Sequence, residues 1–351
     1  MNDIQMIPAQ PQLVLPELYQ WGLALINQIQ KIETPFITSI MSFISALGTE
    51  KLYIPVVLFI FWWIDEKRGF RFGFLLIVSS WINVLVKDAL KLPRPFDLEP
   101  SFGLAFDSGY GFPSAYAQMS LVFWMPKAAW LNQLWTKKQQ KYMRFLFWTF
   151  AIFFVLLIGF ALLYLGLYFP SDLFAGWILG GIILVLWFIF APRVEKYLVL
   201  TGLRVRNLSA AVLALLMNAL HPQNRALSAL FLGFCLGYNL MTERFPFSAR
   251  AEVNGKKPTL PVLIIRCICG FTGMVIIFLF TRLVFPGEQS LFGSIPFWGW
   301  ASPFYELGNY IRFCLLGFWA SAGAPLMFQR MGLAPDNSKA APSNSKAGKE
   351  S

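Results

Sequence analysis

Apolar stretches that read as membrane-buried helices recur along this chain, parted by short polar connections. They fall near residues 36–47, 51–64, 70–86, 113–131, 145–167, 173–191, 208–241, 261–285 and 304–328, runs suited to a hydrocarbon core about 30 Å thick. The 208–241 run is interrupted at 221–225 and reads as two short helices. Backbone groups in lipid find no water to bond to, so such segments close their own hydrogen bonds as helices. The pattern predicts an all-α, polytopic transmembrane helical bundle. Ahead of the first run, Leu13 to Ile32 sets apolar residues at helical spacing with Gln20, Asn27, Gln28 and Gln30 among them, the signature of an amphipathic interfacial helix. The first thirty-five residues show no basic leader followed by an apolar core and a small-residue cleavage site.

Composition removes the soluble alternative. Of 351 residues 57% are hydrophobic and 13% charged, too apolar for a water-soluble globule. The charges also orient the bundle. Lys67, Arg68 and Arg71, then Lys127, Lys137, Lys138, Lys141 and Arg144, then Arg193, Lys196, Arg204 and Arg206 lie in alternate connections, and an excess of Lys and Arg marks the cytoplasmic side. Segments 87–112 and 167–172 then face the extracytoplasmic side of a plasma membrane, read here as a bacterial inner membrane, with the C-terminus cytoplasmic. The net charge of +11 suits attraction to anionic lipid headgroups, and no nucleic-acid module is visible. Membrane lipids are the expected partners, and no protein partner is indicated.

Three short segments carry recognisable chemistry. Lys87, six residues later Arg94 and then Pro95 form the first; Gly109 to Gln118, with Pro113 and Ser114, the second; and Ala161 to Asp172, with Tyr164, Leu165, Gly166, Phe169 and Pro170, the third. Together they resemble the three motifs of the type-2 phosphatidic acid phosphatase superfamily, the membrane lipid phosphatases related to vanadium haloperoxidases. The first motif matches in full. In the second, Ala115 and Tyr116 stand where the family has glycine and histidine. In the third, Ala161, Leu162 and Tyr168 stand where it has serine, arginine and histidine, and Asp172 is kept. The resemblance implies a six-helix phosphatase-like core over 35–195, phosphate contacts for Lys87, Arg94 and Ser114, an orienting or capping role for Asp172, and no cofactor or metal. It supplies no nucleophile and no general acid at Tyr116, Leu162 and Tyr168. Histidine takes and returns protons near neutrality with a pKa of about 6.5, whereas tyrosine sits near 10.

Outside those motifs the signals are sparse. The one histidine, His221, lies in a polar turn and reads as a loop residue at a membrane interface; a lone histidine without clustered Asp, Glu or Cys argues against a transition-metal site. Cys235, Cys267, Cys269 and Cys314 fall in apolar segments and read as small hydrophobes. Residues 196–330 add about four further spans, where Glu306, Asn309 and Arg312 step by three and fit one helix face. Ionisable groups within a span are costly and are functional candidates, so Glu306 and Arg312 are secondary site candidates; the competing reading puts Glu306 at the interface with Arg312 paired to it or snorkelling. Trp298 and Trp300 fit an aromatic belt. Residues 1–34 form an N-terminal segment, and 331–351, with a repeated Asn-Ser-Lys-Ala, read as a disordered cytoplasmic tail.

Three functions stay open. The first is a catalytically silent lipid-phosphatase relative that retains an extracytoplasmic pocket for a lipid phosphate or pyrophosphate headgroup. The second is an active phosphoric monoester or pyrophosphate hydrolase with an altered mechanism, using Tyr168 as nucleophile. The third is a membrane scaffold or transporter whose site lies in the C-terminal spans.

Overall fold

The structure is a computed structural model that describes residues 16–132, 137–252, 258–285 and 302–335. The expected tail and the Trp298–Trp300 belt lie outside these residues. Among the described residues seven helices are long and apolar enough to cross a membrane, or eight with one bent pair counted as a single span.

The chain opens with α1 (Glu17–Gln30), which lies against the ends of later helices: Gln30 Nε2 donates to the carbonyls of Phe102 (3.0 Å) and Tyr164 (2.9 Å). Next come α2 (Pro35–Ala46) and α3 (Glu50–Phe59, prolonged by a π turn over Ile60–Ile64). The apolar runs expected as two separate spans are the halves of one crossing, bent by 49°. The reason is length: 12 residues of α2 rise only about 18 Å, short of the bilayer core. Thr38 Oγ1 on α2 lies 2.9 Å from the Tyr164 hydroxyl, so α2 starts at the end of the bundle where α7 finishes, and α3 completes the passage.

The remaining core helices are α4 (Glu66–Leu90), a short α5 (Pro95–Leu98), α6 (Ala115–Asn132), α7 (Lys137–Tyr164) and α8 (Pro170–Leu200). Asp65 caps α4 by accepting the Arg68 N–H at 2.8 Å, and Lys91 ends it in the left-handed region at φ 53°. Between α6 and α8 the backbones nearly touch. A Cβ on Gly176 would stand 2.5 Å from the Ser114 carbonyl oxygen, the close approach that small residues allow between membrane helices.

The extension comprises α9 (Leu203–Leu220), α10 (Ala226–Arg244), α11 (Leu260–Val284), and α12 (Ser302–Phe318) continued through a π turn (Trp319–Gly323) into α13 (Ala324–Arg330). The helices α10 and α12 meet at Gly233 and Gly317, where a Cβ would fall 1.8 Å from the Cys314 oxygen and 2.4 Å from the Leu230 oxygen. The extension packs into the core. Phe70 of α4 stacks on Tyr238 of α10 at 3.7 Å between centroids and on Phe234 at 5.1 Å. The four cysteines are free.

One side chain joins three segments at the end remote from the motifs. Arg266 of α11 is 0% exposed; its Nε and Nη2 donate to the Leu333 carbonyl at 3.1 and 2.6 Å, and Nη1 to those of Ala249 (2.8 Å) and Trp62 (3.3 Å). Arg266→Leu takes the donor from three carbonyls, two of them on the buried residues Trp62 and Ala249. We expect it to lower the unfolding free energy by roughly 2–4 kcal/mol, read as a reduced midpoint in thermal or denaturant unfolding of detergent-solubilised protein, whereas Arg204→Leu at the exposed start of α9 leaves the midpoint within about 0.5 kcal/mol of the original.

Candidate functional site

The three motif segments converge at one end of the core. Lys87 lies in the last turn of α4, Arg94 opens α5, the 107–114 loop leads into α6, and residues 165–170 connect α7 to α8. Gly166 makes that last turn possible: its φ is +66°, and a Cβ would lie 2.0 Å from the Phe102 carbonyl oxygen.

Arg94 is 1% exposed and holds this end together. Its Nε donates to the Gly109 carbonyl (2.8 Å), Nη1 to that of Leu167 (3.2 Å), and Nη2 to Asp107 Oδ2 (2.9 Å) and the Ser108 carbonyl (3.1 Å). Four of the five donors of a guanidinium are therefore spent on the protein itself. The Asp107 carboxylate also balances its charge, in an ion pair of 2.9 Å. Arg94 thus fixes the second and third motif loops around the first.

Ser114 and Asp172 act as backbone locks. Ser114 Oγ accepts the Ala117 N–H at 3.3 Å, capping α6, and its own N–H donates to the Asp172 carbonyl at 3.0 Å. Asp172 Oδ2 accepts the Phe169 N–H at 2.8 Å, closing the start of α8. Its side chain therefore serves a helix end, as acidic residues do in a first turn. The backbone N–H groups of Ala115 and Tyr116 are left without a protein acceptor among the described residues.

Tyr168 fills the centre. It is 0% exposed, with Lys87 Nζ 5.5 Å and the Arg94 guanidinium carbon 4.6 Å from its ring centroid, and the Tyr116 ring 5.8 Å away. A ring face attracts cations, so the phenol ring replaces part of what an anion does for these two residues. The Tyr168 hydroxyl is buried, and the side chain that acts on it most directly is the Arg94 guanidinium, a donor and not a base. Burial drives its pKa well above the usual tyrosine value, with Asp107 and Tyr116 adding to the rise and Arg94 opposing it. The Tyr168–Asp172 contact that an active tyrosine nucleophile needs is not formed. Leu162 is 0% exposed within the apolar packing of α7 and offers no donor. Lys87 is the cation of the cluster with no ion pair among the described residues.

Beneath Lys87 runs a line of polar residues that sequence reasoning missed. Asn83, one turn along α4 and 1% exposed, donates to Gln118 Oε1 (2.8 Å) and the Pro113 carbonyl (3.4 Å). Gln118 Nε2 donates in turn to the carbonyl and hydroxyl oxygens of Ser79, each at 2.8 Å. Ser80 donates to Glu50 at the bend between α2 and α3. Their spacing was the available signal, since Ser79, Ser80, Asn83 and Lys87 recur every three or four residues within an apolar run.

His221 lies in the connection between α9 and α10, the loop position expected of it, but it is buried there. It is 6% exposed, its Nε2 lies 2.6 Å from Asp88 Oδ2, and its Nδ1 accepts the Asn224 N–H at 3.2 Å. An Nδ1 that accepts carries no proton, so this geometry selects the Nε2–H tautomer donating to Asp88. Both ring nitrogens are engaged. The single histidine therefore does not replace those missing from the motifs; it ties the first motif helix to the extension.

The secondary candidates separate. Arg312 is 6% exposed and donates to Asn309 Oδ1 (3.2 Å), Thr281 Oγ1 (3.2 Å) and the Phe285 carbonyl (3.4 Å). Glu306 is exposed and borders a hollow with Asn218, Arg225 and Tyr310. Two members of the polar line are thus joined, and the third looks outward. No cluster of three His, Cys, Asp or Glu side chains suited to a metal ion occurs among the described residues.

Comparison with known proteins agrees with this layout. Residues 68–196 match the model of the PAP2 superfamily, and residues 226–336 match that of the PAP2 superfamily phosphatase, transmembrane extension. An undecaprenyl-diphosphatase from Sulfolobus acidocaldarius is 27% identical over 159 residues, 41% of this chain and 66% of that protein. Sphingosine-1-phosphate phosphatase 2 from Homo sapiens is 27% identical over 157 residues, 44% of this chain and 38% of that protein. The chain therefore spans less than two thirds of the length of either relative. Among solved structures, that of Aquifex aeolicus LpxE aligns with a TM-score of 0.37 at 21% identity, covering 46% of this chain and 92% of that one.

The partners of Arg94 and Lys87 predict unequal roles. Arg94→Ala should destabilise the protein by roughly 2–3 kcal/mol because it removes a buried cation that pairs with the half-buried Asp107 and ties three carbonyls together. Lys87→Ala removes a cation over a ring and should cost only about 1 kcal/mol. Denaturant unfolding of both variants in one detergent tests the order.

Proposed function

The chain belongs to the PAP2 superfamily, and we propose that within it this protein holds the phosphorylated headgroup of a membrane lipid without hydrolysing it. The observation that carries the proposal is the state of Tyr168, which stands where the family's nucleophile would be. Its hydroxyl is buried and held in the phenol form beside the Arg94 guanidinium, and no base among the described residues contacts it. Nucleophilic catalysis needs an adjacent base or a lowered pKa, and this residue has neither. Leu162 and Tyr116 supply no replacement arginine or general acid.

Binding is supported by what is left unsatisfied. Among the described residues Lys87 has no ion partner, the N–H groups of Ala115 and Tyr116 at the start of the 18-residue α6 have no acceptor, and the buried Asn83 Oδ1 is unpaired. A phosphate oxygen satisfies an ammonium and a helix N-terminus at once. The phosphate seat expected from Lys87, Arg94 and Ser114 therefore centres on Lys87 and the α6 N-terminus, while Arg94 and Ser114 shape it from behind. Relatives named for undecaprenyl diphosphate and for sphingosine 1-phosphate make lipid phosphates the class to try. By the distribution of Lys and Arg the site opens to the extracytoplasmic face and the C-terminus is cytoplasmic.

Purified protein incubated with phosphatidic acid, a polyprenyl diphosphate or sphinganine 1-phosphate should release no phosphate above a lipid-only control. The same protein should bind at least one of these lipids, and Lys87→Ala should weaken that binding by tenfold or more, the scale of one charge-assisted hydrogen bond. Phosphate release that is lost in Tyr168→Phe would establish the hydrolase reading instead.

A further inference from the structure

Glu50 occupies a place where a carboxylate is costly. It opens α3 at the 49° bend in the first crossing, on the bundle surface, within a helix pair that otherwise reads as a span. A Cβ on Gly48 beside it would meet the Tyr116 ring at 3.4 Å. Its own contact is with Ser80, which donates to Glu50 Oε1. Lys51, the next residue, makes no ion pair with it. An ionisable group in the middle of a helix pair long and apolar enough to cross a membrane, with a hydroxyl as its hydrogen-bond partner among the described residues, calls for a functional reason.

Position along α4 supplies one. Ser80 and Lys87 are seven residues apart, so they share a helix face about 10 Å from one another along the axis. Lys87 is three residues from the motif end of α4 at Leu90, and Ser80 is ten. The anionic group is therefore the deeper of the two, lying on the side to which a lipid's tail points. A headgroup whose phosphate reaches Lys87 and the α6 N-terminus presents to Glu50 whatever joins the phosphate to the chain.

Resting on the headgroup-binding reading above, we infer that Glu50 is a specificity-determining residue that selects phosphorylated lipids carrying a free ammonium between the phosphate and the tail, the arrangement of a long-chain 2-amino alkyl phosphate. In phosphatidylethanolamine the ammonium lies on the water side of the phosphate, out of reach of Glu50. A diphosphate without an amine places added negative charge toward the carboxylate.

The test compares equilibrium binding of four probes to the full chain in detergent: sphinganine 1-phosphate, its N-acetyl derivative, phosphatidic acid and phosphatidylethanolamine. The wild type should bind sphinganine 1-phosphate roughly tenfold more tightly than the N-acetyl form, the scale of one ammonium–carboxylate hydrogen bond. In Glu50→Gln, which keeps an acceptor for Ser80, that ratio should fall to about one. The inference is overturned if the N-acetyl form binds the wild type equally well, an outcome that needs no variant. It is also overturned if the preference survives Glu50→Gln, or if phosphatidylethanolamine binds as tightly as sphinganine 1-phosphate. Failure of the underlying site looks different, because phosphatidic acid binding would then be absent or indifferent to Lys87→Ala.

Discussion

The motif end of this protein depends on one buried cation that has been turned inward. Arg94 lies among three carbonyls and the Asp107 carboxylate, and a desolvated guanidinium is tolerated only when it is so surrounded. The loops of the second and third motifs hang on it. Without Arg94 the carbonyls of Gly109, Ser108 and Leu167 would have to find water at the edge of a membrane, and the starts of α6 and α8 would lose their common reference. The Ser114 N–H to Asp172 carbonyl bond and the Gly176 approach to the Ser114 carbonyl then set those helices at close range. A residue type suited to gripping phosphate here grips backbone.

That substitution of partners explains why Tyr168 is compatible with the fold. Two cations set against one ring repel unless something negative or polarisable lies beside them. In a phosphatase mechanism the phosphate would do so. Here the π face of Tyr168 stands beside both, at 5.5 Å from Lys87 and 4.6 Å from Arg94, while Asp107 neutralises one of them. The ring is a weaker counter-charge than a phosphate, and Lys87 keeps unspent hydrogen-bonding capacity. The same ring thus offsets part of the repulsion between the two cations.

Much of this was legible in the sequence where the chemistry is local. Lys87, Arg94 and Pro95 at fixed spacing, Pro113–Ser114 before an apolar run, and Asp172 after Pro170 located three helix ends and their convergence, because spacing along a helix or a turn is what such motifs encode. The apolar runs gave the helices, but a bend of 49° at Leu47–Thr49 was hidden, since hydrophobicity reports depth and not direction. Partnerships across the fold were not legible at all. His221 and Asp88 are separated by 133 positions, and nothing near His221 in sequence distinguishes a buried, doubly bonded imidazole from a loop histidine. Arg266 sits inside an apolar run and its acceptors are carbonyls, which leave no mark in a sequence.

Those long-range partnerships decide what the C-terminal extension is. A set of spans merely appended to a phosphatase-like core would meet it through lipid-like surfaces and carry few polar contacts across the seam. The seam here carries contacts of three kinds: the His221–Asp88 bond at the motif end, the apolar Phe70–Tyr238 and Phe70–Phe234 ring stacks midway, and the Arg266 bond to the Trp62 carbonyl at the far end. Each adds to α4 or to the π turn that precedes it, the elements that also present Lys87, Asn83 and Ser80. Because Asp88 is the residue next to Lys87, the His221 bond braces the last turn of α4 from the side of the extension, so the extension is packed against the same helix that carries the first motif.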